Sequence, residues 1–557
     1  MDNYQIADSF SLLAKLMDIH GENSFKSKSY ASAAFAIESL PVQLATVPAE
    51  KMAALKGIGS SSAQKISELL DTGKLVILEN LIKKTPPGIL EMLNIKGIGP
   101  KKINTIWKEM EIESVGELLY ACKENRLKLY KGFGEKTQQN IIDSIEYYFS
   151  NKDSHLYARV ALIVPETENF IKKIFYGKRV NLTGNFRRQF EVIDELEFII
   201  EADKDEVARC MPEVDGFTLK EMKDDSFLYS TIAGIAVRLY FSPSEKFIDK
   251  LVRTSSSVAF FEALPGISKE AIPADEESYF KDRHIHYIPP CLREDPAIIE
   301  LAKNGPVPAI IQPGDIRGII HSHSNWSDGS NTIDEMAKAA IERGLEYLVI
   351  SDHSKSAFYA QGLNEDRIRA QHQYIDELNE KLKPFRIFKS IESDILNDGS
   401  LDYSDAVLSG FDLVIASVHS NLKMTEEKAM ARLLKAIENP YSTILGHMTG
   451  RLLLSRPGYP VNHKKIVDAC AANQVVIELN AHPNRLDIDW RHIRYALEKN
   501  VLISINPDAH VIEGMDDTLY GILVAQKAML SKDQNLSSFS LQNFEEYIVK
   551  RKVIKRI

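Results

Sequence analysis

Between residues 318 and 510 short apolar runs alternate with amphipathic helical stretches, and run after run ends on an imidazole or a carboxylate. RGII leads into His321, His323 and Asp328, and YLVIS into Asp352 and His353. SIES carries Glu392, DLVIASV ends at His419, TILG at His447, and VLISINP at Asp508 and His510. Alternation of strand and helix predicts parallel strands closed into a barrel, with chemistry gathered at the C-terminal strand ends. Six of the fourteen histidines stand at such ends. A single one would read as an ordinary structural histidine. As a set, converging from distant segments, they point to bound metal ions. His321 and His323, at i and i+2, are expected to share one face.

At about 150 residues per domain, 557 residues imply three or four domains. Hydrophobic residues at 44% and charged residues at 26% exclude disorder as the main state. No apolar run reaches about 18 residues, so no membrane span is expected. The N-terminus MDNYQIADSF has no apolar signal-peptide region. Cys122, Cys210, Cys291 and Cys470 are scattered, without a CxxC pair, which suits a reducing cytoplasm. Net charge is −10, with the first 150 residues balanced. DNA, if bound, must be held by local geometry and not by a global basic field.

Such geometry recurs three times near the N-terminus: LKGIGSSSAQKI at 55–66, IKGIGPKKINTI at 95–106 and YKGFGEKTQQNI at 130–141. The glycine pairs Gly57/Gly59, Gly97/Gly99 and Gly132/Gly134 suit tight turns. Ile58, Ile98 and Phe133 are the expected core anchors. The helix starts behind them, with Lys101 beside one, offer free N–H groups to phosphate. The pattern resembles the helix-hairpin-helix motif, which implies sequence-independent contact with the DNA backbone. With the helical stretch 5–40, the first copy resembles the lyase domain of family X DNA polymerases. That resemblance implies a Schiff-base lysine at Lys65, although no feature of the sequence lowers its pKa; a solvated or phosphate-contacting lysine is the other reading.

Residues 155–255 alternate strand-like runs (RVALIVP, RVNLTG, ELEFIIEA, IAVRLYF) with helices, an α+β sheet domain. GNFRRQFEVIDELEFII at 184–200 resembles the family X palm motif, a Gly-Ser turn, paired arginines, then two aspartates at i and i+2 that hold Mg²⁺. Here those positions carry Asn185, Glu195 and Glu197, and Arg238 stands where a third carboxylate is implied. Glutamate is a methylene too long for tight octahedral Mg²⁺, and arginine repels it. Arg187 and Arg188 are possible phosphate contacts or a solvated pair. SSSVAFFEALPG at 255–266 resembles the start of a thumb that is then cut short.

The strand-end cluster resembles the PHP (polymerase and histidinol phosphatase) domain. This implies metal-dependent phosphoester hydrolysis at His321, His323, Asp328, His353, Glu392, His419, His447, Asp508 and His510. Two or three Mn, Zn or Fe ions are implied, with Arg451 and Asp352 as catalytic candidates. Ile319 departs from the family's common aspartate before HxH and removes an expected outer partner of the metal ligands.

The whole order resembles bacterial family X DNA polymerases with a C-terminal PHP exonuclease. The expected architecture is an all-α helix-hairpin-helix region, an α+β nucleotidyltransferase-like palm and a distorted TIM-like α/β barrel. The expected boundaries are 1–90 (lyase-like), 91–152 (tandem hairpins), 153–255 (degenerate palm), 256–313 (short thumb) and 314–557 (PHP). A 3′-5′ exonuclease acting in DNA repair, with polymerisation lost, is the expected activity. An active gap-filling polymerase and a histidinol-phosphate-like phosphatase remain open.

Overall fold

The computed structural model describes the chain apart from residues 124–126, 128–129, 151–153, 212–213, 233, 267–271 and 455–456. Two units result, Met1–Lys152 and Asp153–Ile557.

The first unit is helical among its described residues. Helix Asn3–Ile19 starts on a capping box, with Asp2 accepting from the Gln5 amide at 2.8 Å and the Gln5 side chain accepting from the Asp2 amide at 3.0 Å. Ile6, Phe10, Leu13 and Met17 line its buried face at helical spacing. One apolar core runs from Ile6 to Ile145, so residue 90 marks a change of motif and not a break in packing.

The second unit holds a five-stranded sheet in the order Val180–Thr183, Glu195–Glu201, Ala236–Ser242, Ser226–Thr231, Phe217–Met222. Its central pair is parallel and the rest antiparallel. Leu196, Phe198 and Ile200 face one apolar core, while Ile199, on the opposite face with Glu195 and Glu197, packs against a second cluster. That cluster includes helices Val258–Ala263, Glu276–Lys281 and Ala297–Asn304 around Phe260 and Phe280, in the segment expected to be a short thumb. The expected strand at RVALIVP is instead the start of helix Tyr157–Ile174, with Pro165 inside it. Its Val160, Val164 and Ile171 form a helical stripe buried on the sheet, and this packing overrides β-branched propensity.

Seven parallel strands follow in sequence order: Gly318–Ile319, Tyr347–Ile350, Arg386–Asp394, Leu413–Ser417, Ile444–Leu445, Val476–Asn480 and Ile503–Asn506. Nearly every residue in them is buried, as strands covered on both faces require. The first and last strand ends meet at a Ser322–Ala509 bridge, where the His323 amide donates to Ala509 O at 2.8 Å and nearly closes the barrel. Sheet domain and barrel are joined by Lys527, whose fully buried ammonium donates to Arg188 O at 2.6 Å and to Glu294 at 3.1 Å. Among the described residues no helix is long and apolar enough to cross a membrane.

Candidate metal centre

The barrel's C-terminal rim brings all nine expected ligand residues together. Two of them, His321 (φ 68°) and Asp508 (φ 54°), are left-handed although neither is glycine. Each such conformation costs about 1–3 kcal/mol and is held here by the closure bridge between their neighbours. His321 is therefore not extended as the i, i+2 argument assumed, yet its ring still lies 5.3 Å from that of His323.

Glu392 is the hub. Its fully buried carboxylate has five imidazoles around it: His353 Nδ1 and His447 Nε2 at 3.0 Å, His419 Nε2 at 3.1 Å, His321 Nε2 at 3.3 Å and His323 Nε2 at 3.7 Å. Among the described residues three sets of ligand atoms, each within 4.8 Å of one another, could hold a metal ion: His323/Asp328/His353/His510, His321/His323/Asp508 and His353/Glu392/His419. Shared histidines link them into one cluster. His321 Nε2, His323 Nδ1, His353 Nδ1 and Glu392 Oε2 are buried without a hydrogen bond. Atoms such as His353 Nδ1 and Glu392 Oε2, 3.0 Å apart yet unbonded, converge on a common point. Orphaned polar atoms of this kind are costly unless a cation occupies that point, so the donor set fits divalent metals.

Outer oxygens fix which nitrogen faces inward. Glu478 Oε2 accepts from His321 Nδ1 at 2.7 Å, Asp394 Oδ1 accepts from His419 Nδ1, and Asp508 O accepts from His510 Nδ1 at 2.9 Å. Glu478 supplies the partner whose loss Ile319 implied. It is fully buried, accepts the His447 amide at 3.0 Å and binds Asn480, which also donates to Asp508 at 3.0 Å. Burial would lower the histidine pKa values, but the carboxylates outweigh it: Glu392 and Asp328 raise His353 to about 10, and Glu392 and Asp394 raise His419 to about 9. Burial, reinforced by His510 and His353, lowers His323 to about 3.

Two catalytic candidates are corrected. Asp352 does not face the cluster. Its buried carboxylate accepts from the Ser324 amide and hydroxyl at 2.8 and 2.7 Å, Ser327 at 2.5 Å and Gln371 at 2.6 Å, and so shapes the loop bearing Asp328. Arg451 is spent on the segment behind the rim, donating to Arg485 O at 2.9 Å, Asp489 at 2.6 Å and Leu486 O. The cation near the cluster is Arg485, 3.8 Å from Asp508. The sequence reading missed Glu478, Asp394 and Arg485. A polar pair inside the buried strand VIELN was the available signal for the first.

In the palm, Glu195 and Glu197 share a face, but Arg238 lies in the register opposite Glu197 and closes on Glu195 with two bonds, at 2.5 and 2.9 Å. Its third nitrogen reaches Glu221 at 3.1 Å. Glu197 accepts from the Asn185 amide at 3.1 Å and from Tyr240 at 3.1 Å. A Cβ at Gly184 (φ +67°) would lie 1.8 Å from Glu197 Oε1, so the turn is filled by the protein's own carboxylate. Arg187 and Arg188 are ion-paired with Glu276 and Glu294. Lys65, the lyase candidate, is ion-paired at 2.5 Å with Glu68, a partly exposed i, i+3 pair.

The hairpins are near copies. Gly57, Gly97 and Gly132 have φ of +85°, +86° and +91°, and Ile58, Ile98 and Phe133 are buried. Gly59 and Gly99 have φ of −81° and precede helices without side-chain caps. A Cβ on Gly59, Gly99 or Gly134 would meet nothing within 4 Å.

Residues 1–75 match the helix-hairpin-helix domain, 89–146 the SAM-like helix-hairpin-helix tandem and 320–482 the PHP domain. The chain is 31% identical over 563 residues to "DNA polymerase/3′-5′ exonuclease PolX" of Bacillus subtilis (strain 168), covering 96% of this chain and 97% of that protein. The chain belongs to the PolX family. Its barrel half is also similar to smaller proteins. A "Probable phosphatase" of Acetivibrio thermocellus is 29% identical over 42% of this chain and 95% of its own length. One of Thermoanaerobacter sp. (strain X514) is 26% identical over 42% and 94%. The strand Ile503–Asn506, with Asp508 and His510 after it, lies beyond the matched PHP segment and completes the rim.

Proposed function

We propose that this PolX-family chain is a DNA-binding, metal-dependent phosphoesterase of the cytoplasm that removes nucleotides from 3′ ends in repair, with a palm retained as scaffold. The observation that carries this is Glu392 among five imidazoles, with His321 Nε2, His353 Nδ1 and its own Oε2 buried without a hydrogen bond. His321, His323, Asp328, His353, Glu392, His419, His447, Asp508 and His510 would hold two or three Mn, Zn or Fe ions. When bound, such ions polarise a phosphoester and lower the pKa of attacking water. Glu478 and Asp394 orient the imidazoles, Asp352 sets the Asp328 loop, and Arg485 faces the phosphate, braced from behind by Arg451.

The hairpins favour DNA over a small phosphomonoester. Their second glycines are required neither by φ nor by internal packing, which leaves close approach of a phosphate backbone as their use. Gly99→Val is expected to weaken DNA binding about tenfold for all sequences alike, with a cost in stability of about 0.5–1 kcal/mol because valine is a poor N-cap, by anisotropy and thermal unfolding. Gly97→Val, at φ +86°, is expected to cost about 1–2 kcal/mol as well.

Metal loading should release protons near pH 7.5, because His321, His353 and His419, held above the usual imidazole range by the surrounding carboxylates, must ligate as neutral rings. Calorimetry in buffers of different ionisation enthalpy reads this directly. The same raised values stabilise the metal-free fold below about pH 6.5, and that contribution fades as pH rises through 9 to 10. Its melting temperature should therefore fall over that window, and metal should reverse the fall.

The deciving comparison is hydrolysis of a 3′-recessed duplex against a small phosphomonoester by the metal-loaded chain. The two phosphatase relatives make the second substrate a fair rival. The duplex should be preferred at least 100-fold in kcat/KM; preference for the monoester overturns the reading.

A further inference from the structure

The strand Val476–Asn480 runs out at the rim of the metal centre, and His482 opens the turn that follows it. One side chain joins that turn to the cluster. Asn480 Oδ1 accepts from the His482 amide at 3.1 Å, and Asn480 Nδ2 donates to the candidate ligand Asp508 at 3.0 Å. The Ala481 amide donates to Asn506 O at 2.6 Å, on the strand that leads into Asp508. Arg485, whose amide closes the turn on His482 O at 2.7 Å, lies 3.8 Å from the same carboxylate. From the other side Arg451 donates to Arg485 O and Leu486 O, and the Leu453 amide donates to Asn484 O at 2.6 Å. His482 and Arg485 therefore stand on backbone fixed from both sides, one amide group away from a metal ligand.

Both side chains keep donors in reserve. The Asn484 amide donates to His482 Nδ1 at 3.2 Å, so the neutral ring carries its proton on Nε2. Among the described residues nothing accepts from that Nε2–H, and no side-chain hydrogen bond takes up the Arg485 guanidinium. Burial lowers the His482 pKa; Arg485 and His510 add to this and Asp508 opposes it, so the half-buried ring is neutral at pH 7. Capping the turn does not require an imidazole, since an asparagine side chain accepts an amide two residues on equally well. What histidine adds over asparagine here is the Nε2–H. A fixed donor beside a metal centre meets charge that develops on an oxygen held there.

We infer that His482 is a catalytic residue, donating its Nε2–H to a non-bridging oxygen of the phosphoester at the cluster, beside Arg485. The inference rests on the phosphoesterase reading and adds a neutral protein donor to the metals and the guanidinium.

The test uses the full metal-loaded chain, with thymidine 5′-(p-nitrophenyl phosphate) and its Rp and Sp phosphorothioates as substrates. In His482→Asn the side chain still accepts the Asn484 amide but falls short of the Nε2 position. In His482→Gln the amide nitrogen stands close to where Nε2 stood, and the turn loses its acceptor. Donation to the substrate predicts kcat/KM lower by at least about tenfold in His482→Asn, through kcat, and by less than about threefold in His482→Gln, with metal content unchanged in both. A turn-capping role predicts the reverse order, and that order overturns the inference. Sulfur is a poor acceptor, so the loss in His482→Asn should shrink on one phosphorothioate and persist on the other. An equal loss on the oxygen substrate and both sulfur substrates overturns the contact. The acidic limb of the pH–rate profile should stay in place in both variants, because no proton leaves the ring; a displaced limb overturns the donor role. Should the wild-type chain hydrolyse none of these substrates, the phosphoesterase reading fails by itself. Calorimetry of inorganic phosphate with the metal-loaded chain then decides His482: weaker binding by His482→Asn than by His482→Gln supports the donor, and equal binding overturns it.

Discussion

Glu392→Gln is expected to abolish phosphoester hydrolysis, lowering kcat/KM by roughly 10³-fold or more, about 4 kcal/mol of barrier. The substitution keeps the shape and removes the charge. Five imidazoles lie within 3.7 Å of this carboxylate, so no other single change removes a charge shared by so many candidate ligands. His321→Ala and Asp508→Ala should match it, because their atoms complete a neighbouring set with His323. Metal content should fall in all three, while far-UV circular dichroism remains that of the wild type. Strand pairing and the apolar barrel core do not involve these side chains. Hydrolysis at the wild-type rate in Glu392→Gln, with its metal content intact, would sink the assignment.

The gathering of these nine residues was legible because they sit where strands end, and a β/α alternation brings strand ends together. What the sequence could not show is which polar residues stand behind them. Glu478 reaches His321 across 157 residues and Asp394 reaches His419 across 25, and only closure of the barrel makes them neighbours. Arg451 misled for the converse reason. Its place after a ligand histidine suggested phosphate, whereas its guanidinium is consumed by two carbonyls and Asp489. Asp352, a catalytic candidate by resemblance, is instead taken up by Ser324, Ser327 and Gln371. The helix at Tyr157–Ile174 escaped because a β-branched run has no periodicity long enough to reveal a one-sided stripe. The hairpins were legible because a glycine at positive φ followed two residues later by a free glycine is a local property.

Primer extension on a gapped template, in a His321→Ala background that stops degradation, is expected to give no templated addition with Mg²⁺. The rate should lie below about 10⁻³ of an ordinary repair polymerase, a barrier higher by at least about 4 kcal/mol. Two-metal transfer needs carboxylates free to converge on cations. Here Glu195 is held on both oxygens by Arg238, and Glu197 by the Asn185 amide and Tyr240. Burial further raises the pKa of Glu197 and disfavours the charge a metal needs. The triphosphate turn is filled by that same carboxylate, and the two arginines beside it are paired with thumb glutamates. These contacts are internal bonds that satisfy both glutamates without a metal. Arg238→Ala should therefore destabilise the domain, since it removes both bonds to the half-buried Glu195. Restoring aspartate at 195, 197 and 238 should not recover extension, because Glu276 and Glu294 still hold both arginines and the thumb remains short. Extension by the unmodified palm at a repair polymerase's rate would restore the polymerase alternative, and would require Arg238 to leave Glu195 when nucleotide binds.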